Sequence, residues 1–202
     1  MHSGRGLLAV GLVLLLAGAR AQGDDVVAAM IGEPDPLTDA YVEAQARFGR
    51  SIYSCLEQTG CRLMSQLIKA IDMQQYFGNP NAVTTFLAPT DQAVNDFLAA
   101  TGKTLQQLQN DKQLIFRLLR YHSLARAHRT DYFPAPGNDV KKAKTLIPGL
   151  FVQLYTDARG GYHVGALENS AQLVRGKYDL VCGRSVFHVI NQVLRPFKIT
   201  TG

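Results

Sequence analysis

The chain is predicted to fold as an α+β domain, and three observations carry that prediction. Its first half places apolar residues at helical spacing, its second half switches to short apolar runs between turn signals, and one β-branched strand sits early among the helices. At 202 residues the chain fits one domain with a short appendage. With 47% hydrophobic and 18% charged residues it has the composition of a globular protein, not of a disordered one.

Arg5 is followed by an unbroken apolar run, Leu7 to Gly18, and then by the small-x-small sequence Ala19-Arg20-Ala21. This reads as a secretory signal cleaved after Ala21, because a run of 12 residues falls short of the roughly 20 needed to span a bilayer. Residues 22–50 read as a leader segment, polar and turn-prone, in which Thr38 is placed to cap a short helix over 39–48. The domain itself is expected over 51–198, with 199–202 as a tail. No second apolar stretch approaches spanning length and the sequence ends Thr200-Thr201-Gly202 without an apolar tail. The expectation is therefore a secreted protein with neither stable membrane insertion nor a lipid anchor.

From Ser51 the periodicity sharpens. Leu63, Met64, Leu67, Ile68 and Ile71 share one helical face, and Gly78-Asn79-Pro80-Asn81 stops that helix. Thr84 to Ala88 is β-branched and aromatic, a short strand that Pro89 closes. Thr90 or Asp91 caps the next helix, whose apolar face is Ala93, Val94, Phe97 and Leu98. Thr104 and Gln107 fit a capping box, and Leu114, Ile115, Leu118 and Leu119 form the stripe of a further helix. Beyond it Phe151, Leu154, Tyr155, Tyr162, Val164, Leu173, Val174, Leu180 and Val181 fall in short runs, and Val186 to Leu194 adds another. These predict antiparallel strands in hairpins or a meander. Lys141-Lys142-Ala143-Lys144, behind Pro134, Pro136 and Gly137, reads as a solvated loop.

The formal charge of +5 drops to +3 once the signal takes Arg5 and Arg20 with it. That is too weak to argue for nucleic acid, which needs a concentrated basic patch. The three cysteines all lie beyond the signal, in a compartment where disulfides persist. Cys55 and Cys61 are close enough to bridge if the helix breaks near Gly60, the alternative being two unlinked thiols. Cys182, beside Gly183 in a strand-like run, is then the odd cysteine. It reads as a small buried hydrophobe, or as a free or intermolecular thiol through which a homodimer would form.

His122 lies four residues after Leu118 on the same helical face. Its expected role is a buried, hydrogen-bonded side chain pinning a helix end to the sheet, with a partner contact as the alternative. His188 shares a strand face with Val186 and Ile190 and reads as structural too, and His163 beside Gly160-Gly161 is expected to be exposed at a hairpin. The histidines, cysteines and acids show no metal-ligand spacing, no G-x-S-x-G elbow and no phosphate-binding glycine motif. No cofactor, metal or enzymatic activity is expected.

Three separated stretches resemble one family. Thr84-Thr85-Phe86-Leu87-Ala88-Pro89-Thr90-Asp91-Gln92-Ala93-Val94 is similar to the first conserved box of fasciclin domains. Tyr121-His122 resembles their central Tyr-His pair, which follows a Leu-rich helix as it does here. Val186 to Pro196 is similar to their closing box through His188, Ile190, Asn191, Leu194 and Pro196. Val94 stands where an aromatic is usual, Asn191 where Asp is usual, and Arg184-Ser185 where Asn-Gly is common. The resemblance implies helices packed on a wedge of antiparallel strands, with Thr84, Phe86, Ala88, Pro89, Thr90 and Asp91 partly as packing elements.

It also implies an extracellular, non-enzymatic adhesion or matrix-interaction role, with protein or matrix polysaccharide as partner. In some animal members of that family, integrin binding maps near the Tyr-His pair and near an Asp-Ile dipeptide just before the closing box, where this chain has Leu in place of Ile. Here these positions are Tyr121, His122, Asp179 and Leu180, the candidate interaction residues. Neither Arg-Gly-Asp nor an N-x-[ST] sequon occurs in the chain. The readings weighed against adhesion are a module binding a small apolar ligand or pigment, and an extracellular hydrolase.

Overall fold

A computed structural model describes residues 47–197. The signal sequence, the leader up to residue 46 and the tail 199–202 lie outside the described residues, as does the helix expected over 39–48 but for its end. That end is extended: Arg47–Gly49 form β1.

Six α-helices and one 3-10 turn, Thr130–Tyr132, are described. α1, Ile52–Thr59, starts at a reciprocal capping box between Ser51 and Ser54 and stops at Gly60 in the left-handed conformation. α2, Arg62–Ala70, buries Met64, Leu67 and Ile68, and Ile71 falls at its C-cap. A single turn, α3, Gln74–Phe77, precedes the predicted stop. α4 spans Asp91–Thr101, α5 Leu105–Asn110 and α6 Lys112–Tyr121. The Thr104 capping box forms as predicted, with bonds of 3.2 and 2.8 Å to and from Gln107.

Thr90 and Asp91 turn out to cap different helices. The Thr90 hydroxyl accepts from Ala93 N at 3.1 Å and starts α4. The Asp91 carboxylate accepts from Leu63 N at 2.8 Å, supplying to α2 the cap that its own N-cap residue, Cys61, does not provide. Asp91→Ala therefore leaves one N–H of α2 without its partner and is expected to lower stability by about 1 kcal/mol. The shift in urea midpoint at constant slope is the measurement that checks it.

The strands form two sheets. β2 (Thr85–Pro89), β3 (Ser123–Leu124), β8 (Leu180–Cys182) and β9 (Ser185–Ile190) join β1 in a five-stranded sheet of order β1-β8-β9-β2-β3. In it β2 runs parallel to β9, with Phe86 beside Phe187 and Leu87 beside His188, and β1 runs parallel to β8. β4 (Lys141–Lys144), β5 (Phe151–Thr156), β6 (Tyr162–Gly165) and β7 (Ser170–Gln172) make an antiparallel four-stranded sheet. Bridges Leu124 to Thr145 and Leu173 to Ile190 hold the two sheets together.

β2 and β9 are buried on both faces, which is why they read as continuous apolar runs. Because side chains alternate across a strand, each strand serves two cores. Phe86, Ala88, Phe187 and Val189 pack under the helices with Phe77, Leu119 and Ile115. Leu87 and Ile190 pack on the other side with Val152, Leu154 and Val164 of the small sheet. Phe86, Phe187 and Leu87 are fully buried, each such side chain contributing roughly 1.5–3 kcal/mol of transfer free energy.

Two expectations change here. Lys141–Lys144 is an edge strand, not a loop: its three lysines are exposed and Ala143 is buried. Lysines on an edge strand block pairing with another chain, so a charged run and a strand are compatible. The cysteine pairing also changes. Cys55 bonds Cys182 across 127 positions, and Cys61 is the free cysteine, buried. The helix does break at Gly60, but only after Thr59, so Cys55 still projects from the interior face of α1 onto β8 while Cys61 starts α2. Cys61 Sγ instead accepts from the Thr59 hydroxyl at 3.4 Å. Cys182, held within the chain, is not available to link two copies. β1 packs on the disulfide so closely that a Cβ at Gly49 would lie 2.8 Å from Cys55 Sγ.

Candidate functional site

The helix α6 ends at Tyr121-His122, where three parts of the fold meet. His122 is 1% exposed. Its Nδ1 lies 2.7 Å from Leu118 O, one turn back, and Leu194 N–H donates to its Nε2 at 3.0 Å. Its carbonyl accepts from Leu87 N at 2.8 Å. The partners define the neutral Nδ1–H tautomer, and one side chain ties the C-terminus of α6 to the segment after β9 while its backbone holds β2. Burial pushes its pKa down to about 4. Tyr121, fully buried, donates its hydroxyl to Phe151 O at 3.1 Å and so reaches the small sheet; burial raises its phenol pKa. In this conformation neither ring is open to a partner.

His188 is the second pin. Asp179 N–H donates to Nδ1 at 3.0 Å, and Nε2 donates to His128 O at 2.8 Å. The ring stands edge-on to Phe133, 6.4 Å between centroids. Desolvation lowers its pKa, as it does for the half-buried His128, which is pushed down to about 4 by burial first and by Arg126, His188 and Lys141 after it.

Asp179 lies nearer the surface, its side chain 16% exposed. It adopts a left-handed backbone, φ 57°, which an Asp tolerates better than most side chains. Its carboxylate accepts from Thr130 N at 2.8 Å and from the Thr130 hydroxyl, with Arg129 at 4.0 Å. Leu180, half-buried, begins β8 opposite Phe187. The structure thus brings Asp179 and His188 together, while the Tyr121 and His122 side chains make separate contacts, with Phe151 and with Leu118 and Leu194. Thr130 and His128, which complete the Asp179 cluster, carry no periodicity or motif that would have singled them out.

The remaining box residues are framework. Thr84 donates its hydroxyl to Leu124 O, and Phe86 sits between Phe77 and Phe187 at 5.3 and 6.0 Å. Ala88 is fully buried and Pro89 pairs with Ile190 at the end of β2. Asn191 Oδ1 accepts from Gln172 N at 2.8 Å, so the amide joins β9 to β7. Leu194 supplies the N–H to His122, and the buried Pro196 follows it. The hairpin β8–β9 turns through Gly183, φ 65°, where a Cβ would meet Pro80 O at 2.5 Å and Arg50 O at 2.7 Å.

His163 is half-buried in β6, not free at a hairpin tip: its ring stacks on Tyr155 at 5.0 Å and Nε2 lies 2.8 Å from Asp157 Oδ2. That contact and the N–H groups of Gly161 and Arg159 hold the Asp157 carboxyl down at about 2. A cleft of about 490 Å³ opens beside this hairpin.

A helical layer on two sheets, locked by two buried histidines and by boxes turned inward, defines an α+β scaffold domain. The sequence matches the family model for the fasciclin domain over residues 59–196, and the chain belongs to that family. Domains of this family are generally adhesion-related, non-catalytic and extracellular. Among solved structures the chain is similar to a FAS1 domain pair from the insect cell adhesion molecule fasciclin I, with a TM-score of 0.61 at 14% identity. The alignment covers 74% of this chain and 51% of that one, so the chain spans about half its length and shares its fold. No curated protein matches the chain. Among the described residues no helix is long and apolar enough to cross a membrane.

Proposed function

We propose that this chain is a secreted, non-enzymatic adhesion domain behind a leader, binding extracellular protein or matrix polysaccharide through its surface. The observation that carries the reading is the fasciclin match over residues 59–196. The disulfide between Cys55 and Cys182 supports an oxidising compartment, in keeping with cleavage of a signal after Ala21. The ring nitrogens of His122 and His188 all meet backbone partners, which favours scaffolding over acid–base chemistry. With Tyr121 and His122 inside, recognition falls to surface loops, among them the one that carries Asp179 and Leu180.

The apolar-ligand reading gains no support from the interior. An enclosed apolar cavity among α2, α4 and α6, lined by Met64, Phe97 and Ile115, measures about 10 Å³, no more than the roughly 10–15 Å³ that a single water needs. The test of the adhesion reading is binding of the signal-free chain to intact cells and to extracted matrix fractions. Saturable binding to one or both is expected, and its absence from both overturns the reading.

A further inference from the structure

We propose that the cleft between the β5–β6 hairpin and the loop after β7 binds a segment of acidic polysaccharide, built from uronic or sulfated sugars. This rests on the reading of the chain as an extracellular adhesion domain and names the partner class and the place of contact.

The cleft, of about 490 Å³, is lined by Asp157, Arg159, Gly161, Tyr162, Arg175 and Tyr178 among others. That volume lies within the roughly 300–1,000 Å³ range of small-ligand sites. Its two cationic groups come from turns distant in sequence. Arg159 sits in the hairpin loop that Asp157 organises, accepting from Arg159 N and Gly161 N at 2.8 Å each. Arg175 sits in the turn closed by Lys177 N to Val174 O at 2.9 Å, with Gly176 at φ 77°. Both residues are exposed, and among the described residues neither guanidinium has a hydrogen-bond or ion-pair partner. A guanidinium offers a planar fork of donors that fits a carboxylate or sulfate bidentately, and two unspent forks facing one cleft call for an anion on the ligand.

The same cleft has an aromatic floor, Tyr162 and Tyr178. Tyr162 and Tyr178 meet edge to face at 5.5 Å, and Tyr162 meets Phe133 in the same way at 5.3 Å. Phe133 is 7% exposed and touches His188, so the floor is anchored to the buried core. A tyrosine presents an apolar ring for the C–H face of a sugar and a hydroxyl for its oxygens. The one carboxylate on the rim, Asp157, is engaged in the hairpin itself, with two N–H groups on Oδ1 and His163 on Oδ2. The walls are fixed as well: a Cβ at Gly161 would lie 2.7 Å from both Asp157 Oδ2 and Gln172 Nε2, so hairpin and β7 are in close contact. Separated cations over an aromatic floor match a polymer that alternates acidic groups with ring faces.

The experiment uses the signal-free full chain, with heparin as the sulfated polymer, polygalacturonate as the polyuronate and dextran as the neutral one. Binding is read by affinity electrophoresis and titration calorimetry at low and at physiological salt. The expected result is salt-sensitive binding to heparin, polygalacturonate or both, and none to dextran; which polymer binds tells sulfate from carboxylate. The double variant Arg159→Gln/Arg175→Gln is expected to bind at least about tenfold more weakly while melting at the same temperature, since each lost contact is a charge-assisted bond at the surface. Lys142→Gln/Lys144→Gln on β4 is expected to leave binding unchanged.

No binding to either acidic polymer overturns the proposal. Equal loss in both double variants overturns it in favour of diffuse charge, and polyglutamate competing as well as the polysaccharide overturns the ligand class. Saturable cell or matrix binding that survives the arginine substitutions overturns the cleft while leaving the adhesion reading intact. Retained heparin binding without any cell or matrix binding overturns the adhesion reading alone.

Discussion

Reducing the Cys55–Cys182 bond, or replacing both cysteines with Ala, is expected to cost this domain about 4 to 5 kcal/mol of stability. The bond joins residues 127 positions apart, and in the chain-entropy account a loop of roughly 100 residues already confines the unfolded state by about 4.7 kcal/mol. Domains of this size hold only about 5–15 kcal/mol in total, so the reduced protein should sit near its threshold. The location adds to the effect. Cys55 lies before residue 59, where the fasciclin match begins, so the bond fastens α1 to β8 and with it the packing of β1. Guanidinium unfolding with and without reductant, beside the double Ala variant, should give two coincident destabilised curves and one stable one. Peptide mapping should find Cys55 linked to Cys182 and Cys61 alkylated only after unfolding. Cys61→Ala should unfold close to wild type. A map that links Cys55 to Cys61, or a reduced protein as stable as the oxidised one, sinks this assignment.

The disulfide also shows what a single sequence conceals. Spacing is informative where partners are neighbours, so Cys55 and Cys61 look like the natural pair, whereas the bond depends on the distance between α1 and β8 in the finished fold. Elements held by local rules were legible for the opposite reason. The Thr104 capping box, the stripe of α2 and the Pro89 stop each follow from residues within a turn or two. β2 and β9 were legible because burial on both faces demands continuous apolar runs. β3, with two residues, and β1, which among the described residues pairs only with β8, carry too little pattern to be seen. β4 was hidden because exposed edge lysines resemble a loop.

The candidate site divides in the same way. The inward role of His122 was readable from its place four residues after Leu118, and that of His188 from alternation with Val186 and Ile190. The Asp179–Thr130 contact spans 49 positions and the His188–His128 contact 60, so no window contains them. The net charge of the chain dilutes the basic cleft, because Arg159 and Arg175 meet only when β5, β6 and β7 pair. In each case local chemistry names a residue's capacity, and topology decides what it faces.

Stability is expected to fall as the pH drops from about 6.5 to about 4, and His122 is expected to account for about 3 kcal/mol of that fall. Its folded pKa is held near 4 by burial, against an ordinary value of 6.5. Between those two values the unfolded chain binds a proton that the folded chain refuses, so each pH unit of acidification costs up to about 1.4 kcal/mol. The stabilisation from the neutral ring is complete above 6.5 and is lost by the time pH reaches the folded pKa; below it this group adds no further slope. His188, also lowered by desolvation, acts in the same direction, with Asp179 partly opposing and Arg129 reinforcing the shift. Urea midpoints across this range should therefore slope downward toward acid. His122→Gln supplies a side-chain amide that can donate to Leu118 O and accept from Leu194 N–H without titrating, and its profile should be visibly flatter than wild type. His122→Ala instead orphans the buried Leu194 N–H and leaves a ring-sized void, with an expected loss of about 3 kcal/mol or more at neutral pH. Parallel wild-type and Gln profiles between pH 6.5 and 4 would show that the acid sensitivity arises elsewhere and that His122 is not a neutral pin.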